Sequence, residues 1–140
     1  MLITKRVHDP ISLFISNINY GIRANKKCVF VSYHATILNL TAILMRRGYI
    51  SAHRIYKMVN ADTSHTCICI WLTRYQNKNV MTLLKAFYKP SQRLSKTYMQ
   101  LSKIKHKEKC EMLLSTSIGF KWLDECLHLK IGGILLFEIL

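Results

Sequence analysis

Three hydroxyl side chains stand in a row at Ser115, Thr116 and Ser117, between the apolar pair Leu113-Leu114 and Gly119. Such a run can supply a nucleophile, cap a helix, close a turn or donate hydrogen bonds to a ligand. A nucleophile needs a base within reach and an acid to orient that base. The stretch has neither a Gly-x-Ser-x-Gly elbow nor a Ser-x-x-Lys signature. His53 and His128 could serve as bases, but only 7 Asp and Glu exist to orient them. A turn is the plainer reading, since Ser, Thr and Gly favour turns by themselves. A second candidate, His65-x-Cys67-x-Cys69, has metal-binding residue types. In a strand those three side chains share one face with Trp71, and no second ligand pair stands elsewhere at zinc spacing, so a packed strand face is the stronger reading. No cofactor and no metal are expected.

A third pattern is electrostatic. The chain carries 21 Lys and Arg against 7 Asp and Glu, a formal net charge of +14. No acidic residue falls between Asp9 and Asp62, and none between Asp62 and Glu108. Such a surface repels itself unless it meets a polyanion, which makes nucleic acid the leading partner and an anionic membrane surface the second. The most basic stretch holds Lys89, Arg93, Lys96, Lys103, Lys105, Lys107 and Lys109, interleaved with Tyr98 and Leu101, and it leads directly into the hydroxyl run. A lysine run is usually a solvated face. Here its neighbours argue for more: Lys and Arg neutralise phosphate oxygens while Ser and Thr hydroxyls bond phosphate or sugar at short range.

The elements that must position these residues follow from periodicity and punctuation. Asp9-Pro10 starts a helix, as N-cap and first-turn proline, and Ile11, Phe14, Ile15, Ile18 and Ile22 form its apolar face up to about Arg23. A short strand is expected over Cys28 to Val31, and a second helix from about His34, with Ile37, Leu40, Thr41 and Leu44 inward and Arg46-Arg47-Gly48 as its stop. Tyr49 to Val59 and His65 to Thr73 read as strands, with a turn at residues 76–79 and a hairpin partner over Val80 to Tyr88. Lys89-Pro90-Ser91 marks the expected boundary between an N-terminal α/β lobe, residues 1–88, and a strand-rich C-terminal lobe, residues 89–140. In the second lobe a strand over Cys110 to Leu114 ends at the hydroxyls. A short helix follows over Asp124 to Leu129, and a last strand over Ile134 to Leu140 closes the chain. Helices and strands do not alternate as a regular βαβ series, so the class is α+β.

Five cysteines, Cys28, Cys67, Cys69, Cys110 and Cys126, make an odd count without framework spacing and suit a reducing compartment. No segment reaches the roughly 18 apolar residues of a membrane span, so no integral membrane association is expected. The start has neither a secretory apolar core nor a long Arg- and Ser-rich presequence, so the protein is expected to work where it is made or to have lost a targeting piece.

Ser115-Thr116-Ser117-x-Gly119, followed by Gly132-Gly133 and a closing strand, resembles the C-terminal half of the bacterial-type small-ribosomal-subunit protein eight family. The likeness extends to Asp9-Pro10, to Arg23-Ala24-Asn25-Lys26, to Arg46-Arg47-Gly48-Tyr49-Ile50, to Tyr75-Gln76-Asn77-Lys78 and to Lys89-Pro90, in order and with nearly unbroken spacing. The resemblance implies a non-enzymatic structural protein that binds the central domain of small-subunit rRNA and supports subunit assembly. Its partners would be that rRNA and neighbouring small-subunit proteins, with no homo-oligomer. It implies Ser115, Thr116, Ser117 and Gly119 as the central RNA contact. Lys89, Pro90, Arg93, Lys96, Lys103, Lys105 and Lys107 would add to it, Gly132 and Gly133 would permit a close turn beside the RNA, and Asn25 and Lys26 would contribute from the first lobe. The chain departs from the family's pattern at Ile118, where a lysine is usual, at Ser91 and Ser95 after Pro90, across Lys107 to Met112, and at His34-Ala35. Its abundance of Ile, Lys, Tyr and Asn fits a divergent organellar, mitochondrial member, with a plastid or the bacterial cytoplasm as alternatives. The rival readings are an RNA-processing or RNA-modifying accessory factor and a basic membrane-surface module.

Overall fold

The computed structural model describes residues 9–140 apart from 63, 90 and 108–110, and it leaves the side chains of residues 105–107 undescribed. The fold is α+β, and the chain forms two compact units, Met1–Thr82 and Leu83–Leu140.

In the first unit, helix α1 spans Pro10–Arg23, strand β1 Cys28–Ser32 and helix α2 Ala35–Arg46. Strands β2, Ile50–Val59, and β3, Ser64–Leu72, follow. The Asp9 carboxylate caps α1 by accepting from the Ser12 N–H at 3.1 Å and from its hydroxyl at 3.2 Å. His34 caps α2 through its ring, whose Nδ1 accepts from the Thr36 N–H at 3.1 Å. Gly48, at φ +84°, takes the left-handed position that ends α2. The three strands form an antiparallel sheet in the order β1-β3-β2. Its register puts Val29 opposite Ile70 and Val31 opposite Ile68. That face packs beneath Phe14, Ile15 and Ile18 of α1 and Ile37, Leu40 and Leu44 of α2, all buried. Each such side chain removed from water contributes roughly 1.5–3 kcal/mol before entropy is counted.

The expected hairpin partner over residues 80–88 does not form. Strands β4, Arg74–Tyr75, and β5, Lys78–Asn79, make only a two-residue ladder around the Gln76-Asn77 turn, both of whose residues have positive φ. Strand β6, Leu84–Ala86, turns away to pair with the chain's last strand. The division between the units accordingly falls before Leu83, ahead of the Lys89-Pro90 break.

The second unit adds strand β7, Ser95–Lys96, helix α3, Tyr98–Lys107, and strands β8, Glu111–Thr116, and β9, Gly119–Trp122. Helix α4, Leu123–Leu129, and strand β10, Gly133–Ile139, complete it. Its sheet runs β6-β10-β8-β9, with β7 also pairing β10. Leu101 of α3 and Cys126 of α4 bury against Met112, Leu114 and Leu135 of the sheet, with Ile104 partly covered beside them. Strands β7 and β9 were not among the expected elements, and two further points differ from the sequence reading. Residues 98–107 are helical, because Leu101 and Ile104, three apart, reach the core and Thr97 caps the start. The strand before the hydroxyls runs on through Ser115 and Thr116, leaving only Ser117 and Ile118 as the turn. Among the described residues no helix is long and apolar enough to cross a membrane.

Candidate nucleic-acid interface

Strand alternation divides the three hydroxyls. On β8, Met112 and Leu114 face the helices, so Thr116 follows them and Ser115 points to the opposite face. The Thr116 hydroxyl is committed within the protein. Its Oγ1 donates to the Gly119 carbonyl at 2.6 Å and accepts from the Ile118 N–H at 3.3 Å, stapling the two-residue turn. Gly119 leaves that turn at φ +110°, a conformation side chains other than hydrogen rarely adopt. Ser115 is half-buried and Ser117 exposed. Among the described residues neither of their hydroxyls has a hydrogen-bond partner.

These residues border an open hollow of about 640 Å³ that also takes in Lys96, Thr97, Tyr98, Gly132 and Gly133. Strand β10 builds it. At its start Gly133 lies opposite Lys96 of β7, and Ile134 lies opposite both Ser95 of β7 and Ser115 of β8. Lysine and hydroxyls that stand nineteen residues apart in sequence are thereby joined across one strand. The two glycines are not a turn. Gly133 begins the strand, and a Cβ there would meet the Ser115 carbonyl at 2.7 Å and the Thr116 methyl at 3.0 Å. A Cβ on Gly132 would collide with the Lys96 carbonyl. Their smallness lets β7 and β8 close on β10 at the mouth of the hollow.

The start of α3 forms another wall. Thr97 and Gln100 make a reciprocal cap: the Gln100 side chain accepts from the Thr97 N–H at 3.0 Å and Thr97 Oγ1 accepts from the Gln100 N–H at 3.4 Å. The N–H groups of the first turn carry the positive end of the helix dipole, which favours an anion. Among the described residues the hollow's lining includes no imidazole and no carboxylate. His53 lies in the first unit, its Nδ1 2.9 Å from the Met45 sulfur, and His128 is an exposed residue of α4. Within the second unit, His128 is not part of the hollow's lining.

The remaining expected residues are distributed as follows. Lys89 and Gln92 exchange backbone hydrogen bonds at 3.3 and 3.1 Å, closing a tight loop that presents exposed Arg93 just ahead of β7. Lys103 is exposed on α3. Pro90 lies outside the described residues, as do the side chains of Lys105 and Lys107. Asn25 and Lys26 belong to the first unit, in the loop between α1 and β1. The sequence reading missed Ser95 and Thr97 and left Tyr98 unassigned; the signal for them was Thr97-x-x-Gln100, a capping box inside a stretch dominated by lysines.

Arg74 was missed as well. Its guanidinium donates to the carbonyls of Asn25 at 3.2 Å, Lys26 at 3.4 Å and Asn77 at 2.6 Å, and to the Asn79 side chain at 3.2 Å. It ties the Asn25-Lys26 loop to the β4–β5 hairpin. The His65, Cys67, Cys69 row does lie on one sheet face, opposite Met58, Tyr56 and Arg54 of β2. No metal-holding cluster of His, Cys, Asp and Glu occurs among the described residues. Burial pushes the Cys69 thiol up to about 11, and a hydrogen bond with Cys28 adds to the shift.

The small ribosomal subunit protein uS8 of Azobacteroides pseudotrichonymphae genomovar. CFP2 is 27% identical over 125 residues, 89% of this chain and 93% of that protein. The family model described as Ribosomal protein S8 matches residues 9–140, covering the helix caps of the first unit and the stapled hydroxyl turn of the second. By that match across both units, the chain belongs to the ribosomal protein S8 family.

Proposed function

We propose that the protein is a structural component of the small ribosomal subunit, where its second unit binds the central domain of small-subunit rRNA and supports subunit assembly. The observation that carries this reading is the hollow at the start of β10. Among the described residues it combines two hydroxyls without hydrogen-bond partners, Ser115 and Ser117, with Lys96 and the N-terminal turn of α3, and its lining bears no carboxylate. These are donors and positive charge arranged for phosphate and ribose oxygens. An A-form groove is largely closed to side chains, so the surface reads backbone and helix distortion more than base sequence. Arg93, Lys89 and Lys103 would extend the positive field along the same unit. Ile118, 59% exposed at the tip of the turn, would meet an apolar surface, a base or a neighbouring small-subunit protein, where the family usually places a lysine.

The test is titration of the full chain with a folded central-domain RNA. Replacing Ser115 and Ser117 together by alanine is expected to cost ~2–5 kcal/mol of binding, at about 1 per neutral hydrogen bond and more where a phosphate accepts. Thermal stability should hold, because neither hydroxyl serves the fold. Unchanged RNA affinity would remove the hollow from the interface. Affinity should also fall steeply with salt, each neutralised phosphate adding to the log–log slope. The high Lys, Ile, Tyr and Asn content supports a mitochondrial ribosome as the place of work. Sedimentation of organelle extracts checks this: the protein should run with the mitochondrial small subunit and crosslink to RNA through residues 115–119.

A further inference from the structure

The first unit carries a separate concavity of about 580 Å³ where α1, the following loop and the edge strand β1 meet. Its walls include Asn17 and Tyr20 of α1, Lys26 and Lys27 of the loop, and Phe30 of β1. Two of these are large apolar side chains left in solvent: Tyr20 is 59% exposed and Phe30 56%. The Lys26 ammonium sits 4.7 Å from the centroid of the Tyr20 ring, a cation–π contact made by a ring that stays largely in solvent. The loop is fixed in place. Asn25 adopts φ +52°, the Lys26 carbonyl accepts from Arg74 and Asn79 at 3.4 Å each, and the Lys27 carbonyl accepts from the Leu72 N–H at 3.0 Å. Among the described residues no acidic one lines the concavity, and none occurs in the sequence between Asp9 and Asp62.

Resting on the RNA-binding reading above, we propose that this concavity takes an unpaired nucleotide of an RNA strand, its base stacked on Tyr20 or Phe30 and its phosphates on Lys26 and Lys27. The chemistry differs from that of the second unit. There, hydroxyls and charge suit the backbone of a helix; here, exposed aromatic faces suit a base that has left its stack, and the Asn17 amide can bond its edge. Stacking tolerates any base, since every base has a π-face, and a groove of this composition discriminates single-stranded from paired RNA. β1 is also an edge of its sheet and could in principle accept an extended protein segment. The two lysines and the absence of any carboxylate favour the polyanion.

The experiment compares two probes on the full chain: fluorescein-labelled decauridylate, which is unpaired, and the folded central-domain helix. Replacing Tyr20 and Phe30 together by alanine should weaken decauridylate binding about tenfold or more, from the usual range for one stacked base, while the helix affinity stays put. Both rings are exposed, so the melting temperature should not move. Tyr20→Phe in place of Tyr20→Ala restores binding, because stacking needs the ring and not the hydroxyl. Ser115→Ala with Ser117→Ala should give the reverse pattern, losing the helix and keeping decauridylate. Helix binding without decauridylate binding in the unmodified protein overturns this proposal alone, whereas failure of both probes overturns the RNA reading with it. Loss of the double alanine variant from ribosomal particles with both RNA affinities intact would assign the groove to a protein neighbour and likewise overturn it.

Discussion

The stapled turn yields the sharpest prediction. Thr116→Val keeps the β-branched shape that suits β8 and removes only the oxygen. The variant loses the 2.6 Å bond to the Gly119 carbonyl and the 3.3 Å bond from the Ile118 N–H. Water reaches both freed groups in this exposed turn, so at roughly 0.5–1 kcal/mol for each bond the stability loss is ~1–2 kcal/mol. The larger consequence falls on Ser117, which sits inside the turn. A bond from its hydroxyl to a phosphate contributes ~1.5–3 kcal/mol, but only while the turn holds the side chain in place. Thr116→Val should therefore weaken binding of the folded central-domain RNA by about 5- to 30-fold, the factor that corresponds to 1–2 kcal/mol, through the loss of bonds that lie within the turn.

A double-mutant cycle distinguishes a brace from a contact. If Thr116 acts by positioning Ser117, adding Thr116→Val to Ser117→Ala should cost little more than Ser117→Ala alone, giving a coupling of ~1 kcal/mol or more. Fluorescence anisotropy titrations at one fixed salt concentration measure all four corners. Additive losses would mean that the Thr116 hydroxyl reaches the RNA directly, and an unaffected Thr116→Val affinity would mean that the turn needs no staple. Either result refutes the division of labour among the three hydroxyls.

Gly133→Ala drives a methyl onto the Ser115 carbonyl and the Thr116 side chain; it should destabilise the second unit by ~1–3 kcal/mol, as overpacking does, and thermal unfolding reads the loss. Arg74→Ala breaks four bonds, two to the loop before β1 and two within the β4–β5 hairpin, and should cost ~1–3 kcal/mol in urea unfolding, with Arg74→Lys a poor substitute because one ammonium cannot reproduce the planar fork. The Cys69 thiol is pushed up from its ordinary value of 9.0 to about 11, chiefly by burial. The folded state thus holds this proton more tightly than the unfolded chain. Its contribution to stability is complete below about pH 9 and disappears as the pH climbs towards 11. Denaturant unfolding across that window should show a steeper decline for the unmodified protein than for Cys69→Ala, and parallel curves would contradict the burial argument.

What the sequence revealed and what it hid divides along one physical line. The helices α1 and α2 and the strand β3 were legible because each signature is local: Phe14, Ile15 and Ile18 repeat at helical spacing behind an Asp-Pro cap, and Ile68 and Ile70 alternate with cysteines. Helix α3 was hidden because, among its described side chains, only Leu101 and Ile104 reach the core, while a lysine run by itself reads as a solvated face. Strand β6 was misplaced for a different reason. Its partner, β10, lies about fifty residues further on, and no local pattern encodes a pairing at that distance. The candidate site shows both effects. Lysine, hydroxyls and glycines were recognisable by type, yet their association depends on β10 pairing with β7 and β8 together, and the glycines serve that closure instead of a turn. A row of three hydroxyls is uniform on paper. Strand alternation and a two-residue turn make it unequal, turning the middle side chain into a brace and leaving the outer two as donors.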